Sequence, residues 1–196
     1  MDVREAIRER RSVLLFDEQP VSQALLDELI QLSVWAPNHR LTEPWRFHVL
    51  DRAALRELFQ AVLAEMVEKG VLPPDHDESE HMNQLPPFGV IISQAPPSIA
   101  DNPLVEMEDY AACCCVAQNF MLAAHAEGIG TMWLTGPMAM ASTVAERLEL
   151  EEGSKIVGLI AVGYPREGMR KRSGLRKAPS VTWLTSASAA EPAASH

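Results

Sequence analysis

The sequence is poor in cysteine, in long uncharged runs and in positive charge, and each shortage excludes a class of protein. Its three cysteines are consecutive, Cys113 to Cys115. Because neighbouring positions on a helix point in different directions, they cannot form a disulfide framework or a CxxC metal site. The expectation is a reduced, cytoplasmic protein.

The charge balance is acidic. Lysine and arginine number 17 against 27 aspartates and glutamates, which gives a formal net charge of −10. Binding to nucleic acids and to anionic membranes is driven mainly by lysine and arginine. We therefore expect neither partner, and any anion site must be a local cluster of arginines.

Apolar segments of the length needed for export or membrane insertion are missing. The start, MDVREAIRERR, lacks the apolar core of a signal peptide. The longest uncharged stretch, from Tyr110 to Ala126, contains Gln118 and His125 and is too short and polar to span a bilayer. The HExxH and GxSxG patterns are absent, and the Gly-Ile-Gly at 128–130 follows a helix instead of opening one. We expect no metal site.

What is present is enough for one domain. The chain has 196 residues, of which 47% are hydrophobic, and domains of that size bury a substantial core. The low-complexity end TSASAAEPAASH predicts a disordered tail at 185–196. Residues 1–184 are expected to form the single domain.

Apolar spacing predicts alternating helices and strands, an α+β fold. Helices are predicted over 3–11, from Ser22 to Pro37, over 52–70, 104–127 and 142–150, and strands over 46–50, 89–92, 131–134 and 156–163. The helix over 104–127 is apolar almost all round, so core or a partner chain must cover it on every side. The polar stretch 72–87 is predicted to be a mobile excursion that can hold a short helix.

Two basic clusters stand out in this acidic chain. They are Arg8, Arg10 and Arg11, followed by Ser12, and then Arg170, Lys171, Arg172, Arg176 and Lys177. Guanidinium groups bind phosphate through paired hydrogen bonds, and a serine hydroxyl can complete the shell. Taken alone, the clusters fit a solvated charged face and a basic tail better.

A polar loop separates the second predicted helix from the first predicted strand. It reads APNHR at 36–40 and EPWRF at 43–47, the arrangement by which a scaffold presents polar groups to a ligand. Trp45 is expected to anchor the core. For His39, ligand contact and a plain loop position are equally supported.

Several motifs occur in the order found in one family. They are RRS at 10–12, APNH at 36–39, EPWRF at 43–47, LAAHAEGIGTMWLTG at 122–136, KIVGLIAVGYP at 155–165 and RKAP at 176–179. On the basis of these motifs the chain resembles nitroreductase-family flavoproteins, and most of all the compact, minimal NAD(P)H nitroreductases. The resemblance implies a central, mostly antiparallel sheet flanked by helices, a long buried central helix and an intertwined homodimer.

The resemblance also assigns FMN contacts. Arg10, Arg11 and Ser12 match positions that hold the flavin phosphate and ribityl chain, and Arg176 matches a C-terminal basic residue on the same phosphate. No side chain is implied as a catalytic group, because the flavin performs the chemistry.

Two further regions match positions at the flavin ring. Trp35 and His39 match loop positions that reach it, partly from the neighbouring subunit. The strand and turn against the isoalloxazine, where a backbone N–H faces N5, correspond to Trp133, Leu134, Thr135 and Gly136.

The chain departs from the family pattern where many relatives contact the pyrimidine end of the flavin. Leu41 stands where they carry Asn, Glu43 where they carry Gln, and Leu14 where larger members carry Lys. Contacts to that end of the ring, and with them the flavin affinity, stay open.

The implied activity is ping-pong reduction of small electrophiles, such as nitroaromatics or quinones, with electrons from NADH or NADPH. Two alternatives stay open. One is a flavin-binding sensor or storage protein without turnover. The other is a specialised family branch that performs dehalogenation or flavin breakdown.

Overall fold

The computed structural model describes residues 1–77, 79–99, 102–137, 141–168 and 176–184. The helices in these ranges are α1 (Val3–Glu9), α2 (Gln23–Ser33), α3 (Arg52–Glu68), α4 (Ser79–Asn83), α5 (Pro103–Ala126) and α6 (Ser142–Arg147), with a 3₁₀ turn at His39–Leu41. The strands are β1 (Trp45–Asp51), β2 (Phe88–Gln94), β3 (Gly130–Leu134) and β4 (Lys155–Gly163). The sequence prediction of an α+β chain is confirmed.

The strands form one sheet in the order β1-β2-β4-β3, with every neighbouring pair antiparallel. The central strands β2 and β4 are almost entirely buried. That burial agrees with their continuous apolar runs, since a strand covered on both faces needs no alternation of polar and apolar residues.

Helices cover both faces of the sheet. Because successive side chains of a strand point to opposite faces, Val90 and Ile92 pack with Phe120 of α5 on one face, where α2 also contributes. Ile91 packs with Leu55 of α3 on the other face, where α6 also contributes. The long central helix therefore lies against one side of the sheet.

Local signals set several element boundaries as predicted. The hydroxyl of Ser22 accepts the Leu25 N–H at 3.2 Å and caps α2. The carboxylate of Asp51 accepts the Ala54 N–H at 2.8 Å and caps α3. Gly70, with φ of 68°, ends α3 in the left-handed conformation that glycine favours.

Several predicted helices extend beyond the observed ones, α1, α2 and α6 among them. Helix α1 ends at Glu9 and not at position 11, because the chain turns extended at Arg10 (ψ 128°) and pairs with the edge of the sheet. Helix α2 ends at Ser33, well before the proline at 37. Helix α6 ends at Arg147 and not at 150, because Glu149 turns left-handed with φ of 50°.

The single chain covers only part of α5. Its buried residues recur along one side, from Val105 to Ala124, whereas Leu104, Met107 and Tyr110 are exposed. Core packing therefore covers one side of α5. The other side, which the sequence also predicted to be covered, is exposed in the single chain. None of the helices in the described part of the chain is long and apolar enough to cross a membrane.

Helix α4 confirms the short helix expected within 72–87. The basic residues at 170–172 and the predicted disordered tail at 185–196 lie outside the described residues.

Candidate functional site

A cavity of about 440 Å³ lies where the segment after α1 meets β3. Arg10, Arg11 and Ser12 form one wall, and 128–131 and 165–168 form others. Ser12 forms a parallel bridge with Thr131, and the Val13 N–H donates to the Thr131 carbonyl at 3.0 Å. The end of the RRS motif thus forms an edge segment that is joined to β3 by one bridge and one backbone hydrogen bond.

Arginines from opposite ends of the chain meet beside this cavity, whose wall also carries the carboxylates of Glu9 and Glu167. Partial burial lowers the pKa of Arg10, and the positive charges of Arg11 and Arg176 lower it further. Arg176 must therefore lie near Arg10, although the two belong to different basic clusters of the sequence. Arginine stays charged under these conditions, so the cluster favours an anion.

Arg11 also stabilises the C-terminal end of α1. Its Nη1 donates to the carbonyls of Arg8 at 2.5 Å and Arg10 at 2.7 Å, at the end of α1. A cation suits this position because the last carbonyls of a helix carry partial negative charge.

Gly130 allows the edge segment to lie directly on β3. A Cβ built at this position would come within 2.8–3.0 Å of three Val13 side-chain atoms, too close for any other residue without a shift. Glycine at this position is therefore required for the close packing of Val13 on β3.

Thr131 and Arg166 are among the polar residues of the cavity that the sequence did not predict as site residues. Thr131 is 1% exposed, and its hydroxyl has no hydrogen-bond partner among the described residues. Arg166 lines the cavity and holds the edge segment through its backbone N–H, which donates to the Leu15 carbonyl at 3.1 Å. Its place immediately after the Tyr164-Pro165 motif was the available signal.

The turn after β3 combines core side chains with an exposed backbone. Trp133 packs against the core, and its Nε1–H donates to the Val157 carbonyl at 3.3 Å. Leu134 packs toward α3. Thr135 is exposed, and Gly136 has φ of 83° with no neighbouring atom within 4 Å of a built Cβ. Space for a ligand therefore exists at Thr135–Gly136.

A second, apolar cavity of about 270 Å³ adjoins this turn. Thr135 lies on its rim, and among the described residues that line it His76 alone has an ionisable side chain. The rest of the lining is apolar and comprises Phe59, Val62, Leu63, Met66, Leu72, Leu134 and Pro137. The cavity suits an uncharged ring better than an ion.

Trp35 and His39 line neither of these cavities. They lie in the loop after α2, where Trp35 is 84% exposed and His39 is also exposed. Their predicted reach to the flavin of a neighbouring subunit stays a prediction. Leu41 and Leu14, the departures from the family pattern, are exposed as well.

The nitroreductase family model matches residues 7–164. The chain belongs to the nitroreductase family. The resemblance drawn from the sequence motifs is thereby confirmed, and the site lies within or beside the matched region.

Relatives of this nitroreductase-family chain share its length and fold. YfhC of Bacillus subtilis (strain 168), provisionally named an NAD(P)H nitroreductase, is 29% identical over 182 residues, covering 89% of this chain and 91% of that protein. A nitroreductase-like protein from Bacillus cereus is 29% identical, with a TM-score of 0.74, covering 91% of this chain and 92% of the other.

A nitroreductase from Bacteroides fragilis was solved with bound FMN. It has a TM-score of 0.74 at 23% identity, with 94% of this chain and all of the other covered. At that identity the likeness establishes the fold. The nitroreductase-like α+β architecture predicted from the sequence is confirmed.

The cysteines of this nitroreductase-family chain are free thiols. Cys113 lies in the core, and burial raises its pKa to about 12, with further contributions from neighbouring groups. A thiol with a raised pKa is a weak nucleophile at neutral pH. Cys113 therefore serves as a small residue of the core.

Proposed function

We propose that this nitroreductase-family chain binds FMN and uses NADH or NADPH to reduce small electrophiles such as nitroaromatics and quinones. The observation that carries the proposal is the convergence of Arg10, Arg11 and Arg176 beside one cavity of an acidic chain. Like charges repel one another, and such a cluster is best explained by a bound anion that compensates them.

The residues around this cavity fit the phosphate end of FMN. Guanidinium groups of Arg10 and Arg176 would bind the phosphate through charge-assisted hydrogen bonds. Ser12 would serve the ribityl chain from the same wall, and the unpartnered hydroxyl of Thr131 adds a polar group there. Gly128 lines the same cavity with open space around a built Cβ and permits close approach of a ligand.

Bound FMN would supply two-electron transfer from NAD(P)H to an acceptor in a ping-pong cycle. The turn at Thr135–Gly136 would offer its backbone N–H groups to the flavin ring. Since Gly136 lacks a Cβ, a flat ring can approach the backbone there. No side chain of the chain is assigned as nucleophile or general acid.

The apolar cavity beside the turn would receive the electron acceptor. Its walls offer few polar groups, so selection depends on size and on apolar contact more than on hydrogen bonding. Broad use of uncharged aromatic acceptors follows from such a lining.

The active form is proposed to be a homodimer. One chain leaves Leu104, Met107 and Tyr110 of α5 exposed, along with Trp35 and Trp183, and apolar surface of this extent favours association. Sedimentation at low micromolar concentration should give twice 21.6 kDa. A flavin-loaded monomer would overturn this part of the proposal. The cytoplasmic location stays a prediction.

The absorbance spectrum of the purified protein tests the function. We expect a yellow protein that releases FMN, bleaches with NADH or NADPH, and recovers its colour when a quinone is added. A yellow protein that neither bleaches nor recovers would favour the sensor or storage alternative. Reduction by NAD(P)H with no turnover of quinones or nitroaromatics would favour the specialised branch.

A further inference from the structure

The loop between α2 and β1 carries an unusual amount of backbone strain. Arg40, Leu41 and Glu43 have φ of 60°, 53° and 44°, and none of them is glycine. The left-handed region costs such residues roughly 1–2 kcal/mol each. Strain of this kind persists only where the surrounding structure imposes it, and it concentrates at functional sites.

A chain of side-chain hydrogen bonds imposes this conformation. Asn38 Oδ1 accepts the Glu43 N–H at 2.8 Å, and Asn38 Nδ2 donates to Thr42 Oγ1 at 3.0 Å. The Thr42 hydroxyl in turn donates to Oδ1 of Asp109, on α5, at 2.6 Å. The loop is thus closed on itself by Asn38 and fastened to the central helix by Thr42.

Further contacts fasten both ends of the loop. Arg46 Nη1 donates to the Glu43 carbonyl at 3.1 Å, so both backbone polar groups of Glu43 are held. At the other end, Asn119 Nδ2 donates to the Ser33 carbonyl at 3.3 Å. Asp109 and Asn119 both belong to α5, about 15 Å apart along its axis, so the helix supports the whole loop.

The residues that hold the loop are buried or partly buried, whereas the residues at its tip are exposed. Asp109 is 3% exposed, and Asn38 and Thr42 are partly buried. His39 and Arg40, at the tip between them, are exposed. The network therefore fixes the backbone of a tip whose side chains face outward, which is how a ligand contact is preorganised.

We propose that Thr42 and Asp109 are positioning residues that hold His39 in place for contact with FMN across the dimer. This inference rests on the proposed function and on the prediction that His39 reaches the flavin of the neighbouring subunit. The hydroxyl of Thr42 acts through the backbone of the loop and does not touch the ligand. Asp109, buried in α5, supplies the fixed point.

The test compares Thr42→Val with Thr42→Ser, since only serine keeps the hydroxyl. The valine variant loses both hydrogen bonds of the Thr42 hydroxyl, to Asn38 and to Asp109. Its Kd for FMN should therefore rise roughly three- to tenfold or more, with serine restoring affinity. In a His39→Ala background, Thr42→Val should have no further effect on the Kd. An equal loss of affinity with and without His39 would overturn the positioning role.

A second comparison separates positioning from stability. Thr42→Val leaves the buried Asp109 carboxylate without this donor and should lower Tm. Thr42→Val with Asp109→Leu removes both partners of the Thr42–Asp109 hydrogen bond and should recover part of the lost Tm, although Asn38 still lacks its acceptor. FMN affinity should stay reduced in the double variant. Recovery of affinity together with Tm would overturn the proposal. A wild-type chain that binds no FMN would overturn the proposed function as well.

Discussion

Glu65 and Ser142 are joined by two hydrogen bonds that connect α3 to the first turn of α6. Glu65 Oε1 accepts the Ser142 N–H at 2.9 Å and the Ser142 hydroxyl at 2.8 Å, while Oε2 accepts the Thr143 N–H at 2.9 Å. Lys69, one turn along α3, forms an ion pair with the same carboxylate. These contacts stabilise the ionised form, so the pKa of Glu65 lies far below its ordinary value, with Lys69 the largest cause.

Glu65→Gln should lower Tm by roughly 3–6 °C at pH 7, because the amide cannot accept all these hydrogen bonds or pair with Lys69. Because the pKa of Glu65 is lowered in the folded state, its carboxylate contributes its full stabilisation above the pKa of the unfolded state, about 4.3. This stabilisation is lost as the pH falls below that value. The Tm difference between wild type and variant should therefore narrow between about pH 4.5 and pH 3. Thermal unfolding across this range measures it.

Glu68→Gln is the matched control for this experiment, since Glu68 is an exposed carboxylate at the end of the same helix. It should change Tm little at any pH. A Tm difference for Glu65→Gln that stays constant down to pH 3 would contradict the assignment.

Arg10→Ala and Arg176→Ala should each weaken FMN binding by roughly tenfold or more, since a charge-assisted hydrogen bond contributes about 1.5–3 kcal/mol. In the absence of FMN, Arg176→Ala should not lower Tm, because it removes a positive charge that repels Arg10. Flavin fluorescence titration measures the Kd for FMN, and thermal unfolding without FMN measures Tm. The control is Arg4→Ala, an exposed arginine of α1 outside the cavity. Wild-type affinity in both test variants would refute the phosphate site.

Gly136→Val should slow flavin reduction by roughly tenfold or more, or expel the cofactor, because φ of 83° is strained for a β-branched residue. Asparagine tolerates this region, so Gly136→Asn should retain more activity. Thr135→Ala should stay within severalfold of wild type. Stopped-flow reduction by NAD(P)H measures all three.

Gly70→Val provides the control for backbone strain away from the turn. Gly70 has φ of 68° and, like Gly136, open space around a built Cβ. It should lose stability without slower flavin reduction. An inactive Thr135→Ala beside a normal Gly136→Val would show that the hydroxyl, and not the backbone, is the working group.

Leu41→Asn should stabilise the protein by about 0.5–1 kcal/mol, because asparagine tolerates the left-handed conformation that Leu41 adopts at φ of 53°. Leu32→Asn controls for the removal of an exposed leucine, since Leu32 is 55% exposed on α2. That change should destabilise slightly, because asparagine is a weaker helix former. Denaturant unfolding compares the two, and an equal effect in both would exclude relief of strain as the cause.

Phe59→Trp should raise KM for a quinone or nitroaromatic severalfold by filling part of the cavity of about 270 Å³ beside Thr135. The rate of flavin reduction by NAD(P)H should change less. Steady-state kinetics measures KM for the acceptor, and stopped-flow absorbance measures the rate of flavin reduction. Phe47→Trp is the control, a partly buried phenylalanine on the other face of the sheet. Equal KM changes in both variants would assign the effect to general repacking.

Local chemistry in the sequence determined the elements and most of their starts. Ser22 and Asp51 cap helices through hydrogen bonds to N–H groups three residues on, and Gly70 ends a helix through its own φ. The apolar run at 89–92 predicted a buried central strand. Such signals act over a few residues of chain, so they can be read without knowing the fold.

The tertiary structure alone decided which distant residues meet. The Thr42–Asp109 hydrogen bond and the Glu65–Ser142 pair each join segments far apart in the chain, and no local pattern encodes them. The nearness of Arg10 to Arg176 agrees with what the family resemblance implied. The positive φ of Leu41 even opposes its local preference. It is imposed by hydrogen bonds that form only once the packed α5 places Asp109 beside the loop.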